Sequence, residues 1–327
     1  MNAPKVTPID YIDFLLGTQR AYSCTEAERV HPDEASGPAH DAYTRLLKRL
    51  FPRSERLWSE AQAQIDRGKG SLIIDDSTLD KLYSRQIELV TRHWSGKHRA
   101  VVQGINLITV LWTDGERYIP VDYRIYDKAN DGLSKNDHFQ AMLRSAHQRG
   151  FQPECVLFDS WYASLPNLKL IRDLGWRWLT RLKPNRLVNP DGQGNRCLDQ
   201  LDLSAAGTQV HLKGYGFILV FKIVATNGDI EYWATNDLAL PELHRLRFAE
   251  LGWMIETYHR GIKQFCGIER CAARSATAQR NHIELALRAF LRLEYHCFVN
   301  GISWFEAKTA IIRNAVRTYL ANPIYVF

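Results

Sequence analysis

The sequence predicts an α/β protein, a mixed sheet with helices on its faces. Three observations predict it. Short apolar runs and amphipathic stretches follow in the order strand, strand, strand, helix, strand, helix, strand. Two of those strands end in aspartates. Everything beyond Pro241 reads as long helices.

Residues 1–67 read as helical, because Tyr11, Phe14, Leu15 and Leu46, Leu47, Leu50 recur at helical spacing. Pro32, Gly37 and Pro38 break this region, and an amphipathic stretch from Arg53 to Arg67 closes at Gly68 and Gly70. Three strands follow: Ser71–Asp76, Val101–Trp112 and the alternating Tyr118–Tyr126, the last two linked as a hairpin through Asp114-Gly115. A helix is expected from Asn136 to Arg149, capped by Asn136 or Asp137. Cys155–Phe158 is a strand that ends at Asp159, Leu165–Leu174 a helix, and Trp176–Leu182 a strand. Residues 184–237 read as a small antiparallel insertion, with strands over 210–212, 217–225 and 231–235 and a hairpin signal at Asn227-Gly228. Helices are expected over 241–265, 280–299 and 304–320. The organisation is therefore 1–67, a helical N-terminal region; 68–183, the first part of a core; 184–237, the insertion; and 238–327, the helical end of the core.

Hydrophobic residues make up 45% and charged residues 24% of the 327 residues, which excludes a disordered chain, a collagen and a coiled coil. Apolar stretches such as Ile105–Trp112 fall well short of the roughly 20 residues that span a bilayer. The first ten residues lack the basic-then-apolar pattern of a signal peptide. Six scattered cysteines without a Cys-x-x-Cys pair read as reduced thiols of a cytoplasmic protein. His259, Cys266, Cys271 and His282 do not match zinc-finger spacing. Forty-two Lys and Arg against 36 Asp and Glu permit a polyanionic partner without demanding one. The bases cluster, with aromatics among them, over Arg53–Arg67, Arg92–Arg99, Arg172–Arg186 and Arg245–Arg292. No Gly-x-Ser-x-Gly elbow and no phosphate-binding loop of the Walker type is present.

The carboxylates carry the chemistry. Asp76 follows Leu72, Ile73 and Ile74, and Asp159 follows Val156, Leu157 and Phe158. An anion at the end of a buried strand is costly to desolvate. If the two strands are neighbours, the side chains converge and a hard cation such as Mg²⁺ relieves their repulsion. The bland reading is two turn or cap residues. Glu256 is the third acid. Met254, Ile255, Tyr258 and Ile262 make a core stripe, while Glu256, His259, Arg260 and Lys263 share another face. That face is either a solvated salt-bridge ladder or a metal ligand beside phosphate-binding cations.

Asp76-Ser77-Thr78, Asp159-Ser160-Trp161-Tyr162 and Glu256 followed by Lys263 resemble the DDE triad of bacterial insertion-sequence transposases, most of all the insertion-sequence-four and insertion-sequence-seven-hundred-and-one groups. The spacing is similar, with 83 residues from Asp76 to Asp159 and 97 from Asp159 to Glu256. The resemblance covers about residues 70–300 and implies a ribonuclease H-like core. Asp75 and Asp76 point to opposite faces of their strand. The family places its first aspartate two residues before a Thr or Ser, which matches Asp76 before Thr78. In the family's Tyr, Arg, Glu, Lys signature the chain departs at two positions, with Ala249 for the Tyr and Gly252 for the Arg. Arg245, Arg247 or Arg260 would have to replace that contact.

The resemblance implies a transposase that cuts transposon ends and joins the freed 3′-hydroxyl to target DNA. Asp76, Asp159 and Glu256 are implied as catalytic residues holding two Mg²⁺ ions, with Mn²⁺ as a substitute. Lys263 and Arg260 are implied as phosphate contacts, and Lys183 and Arg186 as residues that track the DNA backbone. Trp233 stands where some relatives stack a flipped base, and packing within the insertion is the other reading. The implied partners are double-stranded DNA with terminal inverted repeats, target DNA and a second copy in a DNA-bound homodimer, without a membrane, in a prokaryotic cytoplasm at the nucleoid. The alternatives are a nuclease of the same fold that does not join strands and a domesticated DNA-binding protein.

Overall fold

The computed structural model of the protein describes residues 4–95, 99–127 and 129–324. Residues 96–98 of the basic stretch Arg92–Arg99 lie outside the described residues. The elements, in chain order, are α1 (Pro8–Gly17), α2 (Cys24–Arg29), α3 (His40–Arg49), α4 (Ser54–Ala61), β1 (Ser71–Asp80), β2 (Thr91–Ser95), β3 (Ala100–Thr113) and β4 (Ile119–Tyr126). They continue with α5 (Lys135–Gln148), β5 (Val156–Phe158), α6 (Leu165–Asp173), β6 (Trp178–Leu182), β7 (Leu187–Val188), β8 (Arg196–Cys197), β9 (Thr208–Leu212), β10 (Gly216–Val224) and β11 (Ile230–Thr235). Three helices end the chain: α7 (Glu242–Phe265), α8 (Ala276–Asn300) and α9 (Trp304–Ala321). Among the described residues no helix is long and apolar enough to cross a membrane.

Two compact units form. One comprises Met1–Ala63, Ser77–Leu107 and Thr257–Phe327; the other comprises Gln64–Asp76 and Ile108–Glu256. In the first, α8 is the axis, buried along most of its length from Ala278 to Glu294. The helices α1, α3, α4 and α9 pack against it, so the N-terminal helices share a core with the C-terminal ones. Polar side chains fix the joints. Asn281 Nδ2 donates to the carbonyls of Leu47 and Leu50, closing the C-terminal end of α3. His282 stands between the Tyr11 hydroxyl at Nδ1 and the Gly267 carbonyl at Nε2.

The second unit is built on a mixed sheet. Its strand order is β3-β1-β5-β6-β11-β10-β9, with β4 also paired to β3. Strands β1, β5 and β6 run parallel, with α5 leading from β4 into β5 and α6 from β5 into β6, and β6, β11, β10 and β9 pair antiparallel. Ile73, Ile74, Leu157, Trp178 and Phe221 are buried in this core.

Three details go beyond expectation. The strands β9, β10 and β11 within 184–237 are antiparallel and extend the main sheet past β6. Without β11, the buried β6 would present a row of unpaired backbone groups. Among the described residues, β7 and β8 alone form a pair apart. The cap of α5 is Ser134 rather than Asn136 or Asp137: its hydroxyl accepts from Asp137 N–H, and the Asp137 carboxylate accepts from Ser134 N–H at 2.7 Å. Strand β1 continues to Asp80, well beyond the apolar run that signals it.

Candidate active site

Register places the first two acids. Ile74 is paired with Phe158 in the parallel β1–β5 ladder. Asp75 and Asp159 each follow that last pair by one residue. Both line one cleft of the second unit, whose apolar floor includes Ile73, Leu157 and Leu179. Helix α7 supplies the opposite wall with Phe248, Ala249, Gly252, Trp253 and Glu256, the last with an exposed side chain. Ala249 and Gly252 are small, so the wall is open where a Tyr and an Arg would otherwise project.

The electrostatics follow from burial and mutual repulsion. Burial holds the Asp75 carboxyl well above the usual carboxylate range, and the charges of Asp76, Asp159 and Glu256 raise it further. Asp159 is also raised, by burial and then by Asp76, against the N–H groups of Trp161 and Tyr162 and the Arg181 guanidinium. Its carboxylate accepts from Trp161 N–H at 2.9 Å. Arg181 is the one cation among the lining residues, which also include Glu231 and Trp233. Arg181 pairs with Glu231 at 2.7 Å, and the Trp233 indole N–H donates to Glu231 at 2.8 Å.

Asp76, expected to be the first acid, is not among the residues that line this cleft, although its charge acts on Asp159. Its carboxylate accepts from Lys135 Nζ at 2.7 Å and from the Tyr162 hydroxyl at 2.8 Å. Strand alternation points the two aspartates to opposite faces of β1, yet the charge of Asp159 raises Asp75 and the charge of Asp76 raises Asp159. The sequence contains the Asp75-Asp76 doublet but not the register. Nor does it single out Arg181, Glu231 or Lys135, which come together only through strand pairing.

The expected DNA contacts are dispersed. Trp233 lines the cleft, half-buried, with the Arg181 guanidinium 5.8 Å from its ring centre. Lys183 is exposed, and Arg186 is half-buried, with burial lowering its pKa. Lys263 and Arg260 belong to the first unit. Lys263 Nζ donates to the Thr78 carbonyl at 2.8 Å and pairs with Glu269 at 3.0 Å, so its charge is already engaged. Arg260 is exposed, while His259 is buried, so these residues do not form one solvated face.

Carboxylate oxygens are the hard donors that Mg²⁺ and Mn²⁺ take. The pair at Asp75 and Asp159, each destabilised as an anion by the other charges, suits a divalent cation. Among the described residues, however, no three His, Cys, Asp or Glu side chains are gathered closely enough to hold a metal as they lie. Glu256 shares the cleft without completing a ligand cluster in this arrangement.

Comparison with known proteins agrees in kind. No curated protein matches the chain. The fold is similar to that of the piggyBac transposase in its synaptic complex with hairpin DNA, with a TM-score of 0.53 at 10% identity over 99% of this chain and 74% of that one. The Drosophila P element transposase strand transfer complex gives a TM-score of 0.30 at 13% identity over 54% of this chain and 37% of that one. The Mos1 strand transfer complex gives 0.21 at 11% identity over 54% and 58%. Scores that low carry no inference. A model described as the DDE superfamily endonuclease matches residues 12–196, more than half of the chain, and the chain belongs to that family.

Proposed function

We propose that the protein is a DNA transposase that cuts phosphodiester bonds at transposon ends and joins the freed 3′-hydroxyl to target DNA, using Asp75, Asp159 and Glu256 as its acid set. The observation that carries this reading is that Asp75 and Asp159, each one residue past the paired Ile74 and Phe158 of adjacent parallel strands, line one cleft together with Glu256. The family match supports the cutting chemistry, and the likeness of fold to a transposase supports the wider assignment. The succession of strands β1 to β4 and then the helix-linked parallel strands β5 and β6 supports a ribonuclease H-like core of the insertion-sequence-four and seven-hundred-and-one kind.

Two Mg²⁺ ions, with Mn²⁺ as a substitute, would be held by Asp75, Asp159 and Glu256, and when bound they supply charge stabilisation to the attacking and leaving oxygens of an in-line displacement. Asp75 and Asp159 present fixed oxygens. Glu256, on a helix, closes the set. Arg181 offsets part of the negative charge beside Asp159 and is placed to meet a phosphate once Glu231 releases it. Trp233 offers the cleft an aromatic wall against which an unpaired base can stack. Asp76 acts as an anchor: it ties β1 to Lys135 and Tyr162 and so fixes the direction in which Asp75 points. Lys183, Arg186, Arg260 and Lys263 remain candidate backbone contacts, the first two on the unit that carries the acids. Residues 1–67 are candidates for recognising terminal inverted repeats. A homodimer on DNA accords with the need to hold two ends at once.

The test is strand cutting of DNA that carries the sequences flanking the coding region. Asp75→Asn, Asp159→Asn or Glu256→Gln each reduces cutting to background while leaving the fold intact. Chelation of divalent ions with EDTA abolishes it. Cutting by any of these variants, or in EDTA, refutes the acid set. Supplying target DNA separates the transposase from a nuclease that does not join strands, since only the former gives joined products.

A further inference from the structure

Outside the cleft, the second unit exposes a ring beside two cations. Trp161 is 58% exposed. Lys183 Nζ is 5.8 Å and Lys135 Nζ 6.0 Å from its ring centre. The turn that carries it is held firmly. The Asp159 carboxylate accepts the Trp161 N–H, and the next residue, Tyr162, is buried, stacks on Phe139 at 5.0 Å between centroids and donates its hydroxyl to Asp76. Lys135 is positioned by the same Asp76. A large indole kept in water on a rigid turn, beside ammonium groups, has the chemistry of a nucleotide contact: a π-face for a base and positive charge for its phosphates.

The geometry points to Trp161, with Lys183 and Lys135, as a stacking platform for an unpaired base of the DNA strand. This rests on the DNA-processing reading above and adds a contact to it. Within a continuous duplex both faces of every base are covered, so the ring has nothing to stack on. At a gap, a frayed end or a single-stranded tail a face is free. Because Trp161 hangs from the carboxylate of Asp159, a base on the platform is tied in position to the acid whose chemistry it serves. Trp161 is thus a positioning residue.

Binding of the full-length protein to labelled DNA, measured in EDTA so that no cutting occurs, tests this. Two probes are used: a duplex closed by hairpins at both ends, and the same duplex with a single-stranded tail. Trp161→Ala is expected to weaken binding of the tailed DNA by about 5- to 100-fold and to leave the closed duplex essentially unchanged. Trp161→Phe retains most of the affinity. Lys183→Ala weakens both probes and lowers the salt slope by about one. Equal binding of the tailed DNA by wild type and Trp161→Ala overturns the platform, as does an equal loss on both probes. A wild-type protein that binds neither probe refutes the DNA reading itself, which separates that failure from the platform's.

Discussion

Asp75 and Asp76 are neighbours in sequence and face opposite sides of β1. Asp75 lines the cleft with Asp159; Asp76 is held in an ion pair by Lys135 and by the Tyr162 hydroxyl. Asp76→Asn is therefore expected to cost about 1–3 kcal/mol of stability, read as a lowered unfolding midpoint, and to retain cutting. Complete inactivity of a folded Asp76→Asn would return the first acid to that position. The doublet itself was visible in the sequence, as were Asp159 and Glu256. What a sequence cannot supply at this scale is register, which sets the face each residue takes relative to its neighbour. His282 gives a second prediction. It is fully buried, its neutral ring is satisfied on both nitrogens, and burial, then the Lys81 charge, pull its pKa down to about 4. The unfolded chain takes up that proton near pH ~6.5. Its contribution to stability is thus full above that pH and is lost as pH falls toward 4, by on the order of 3 kcal/mol in all. Thermal unfolding from about pH 7.5 to about pH 4.5 measures it, and His282→Gln flattens the slope; an unflattened slope removes His282 as the cause.

Among the elements, long periodic helices were the most legible. The three C-terminal helices were expected at 241–265, 280–299 and 304–320 and occur at Glu242–Phe265, Ala276–Asn300 and Trp304–Ala321. The one large shift, at the start of α8, reflects its cap: Ser275 accepts from Ala278 N–H and starts the helix a turn earlier. Strand β2 gave no signal, because Thr91-Arg-His-Trp-Ser95 has no clean apolar alternation and exists by pairing with β3. The sequence also could not say where β9 to β11 attach. Their alternation marks strands, whereas joining the main sheet depends on the free edge of β6. Helix α8 gathers its neighbours through side chains as well as apolar contact. Asn281→Ala would leave the carbonyls of Leu47 and Leu50 unpaired in a buried joint, at a cost of about 1–3 kcal/mol. Urea unfolding should show a lower midpoint at unchanged slope. An unchanged midpoint would mean that α3 does not depend on this tie.

At the scale of the molecule, composition restricts the chain to an ordinary globular protein, and the division into units comes only with the structure. Each unit is assembled from separate stretches of the chain, and the helices of 1–63 share a core with those beyond Thr257. Sequence order alone gives a helical N-terminal region but not its packing, because burial of α1, α3 and α4 against α8 involves residues more than two hundred positions apart. The acids, by contrast, all lie in the unit built on the sheet: Asp75 and Asp159 on β-strand ends and Glu256 on α7. The most direct test of the acid assignment is Mg²⁺-dependent cutting of end-bearing DNA by Asp75→Asn and Asp76→Asn side by side, with folding checked for both. The assignment predicts background cutting by Asp75→Asn and retained cutting by Asp76→Asn; a folded Asp75→Asn that cuts as the wild type does would contradict it.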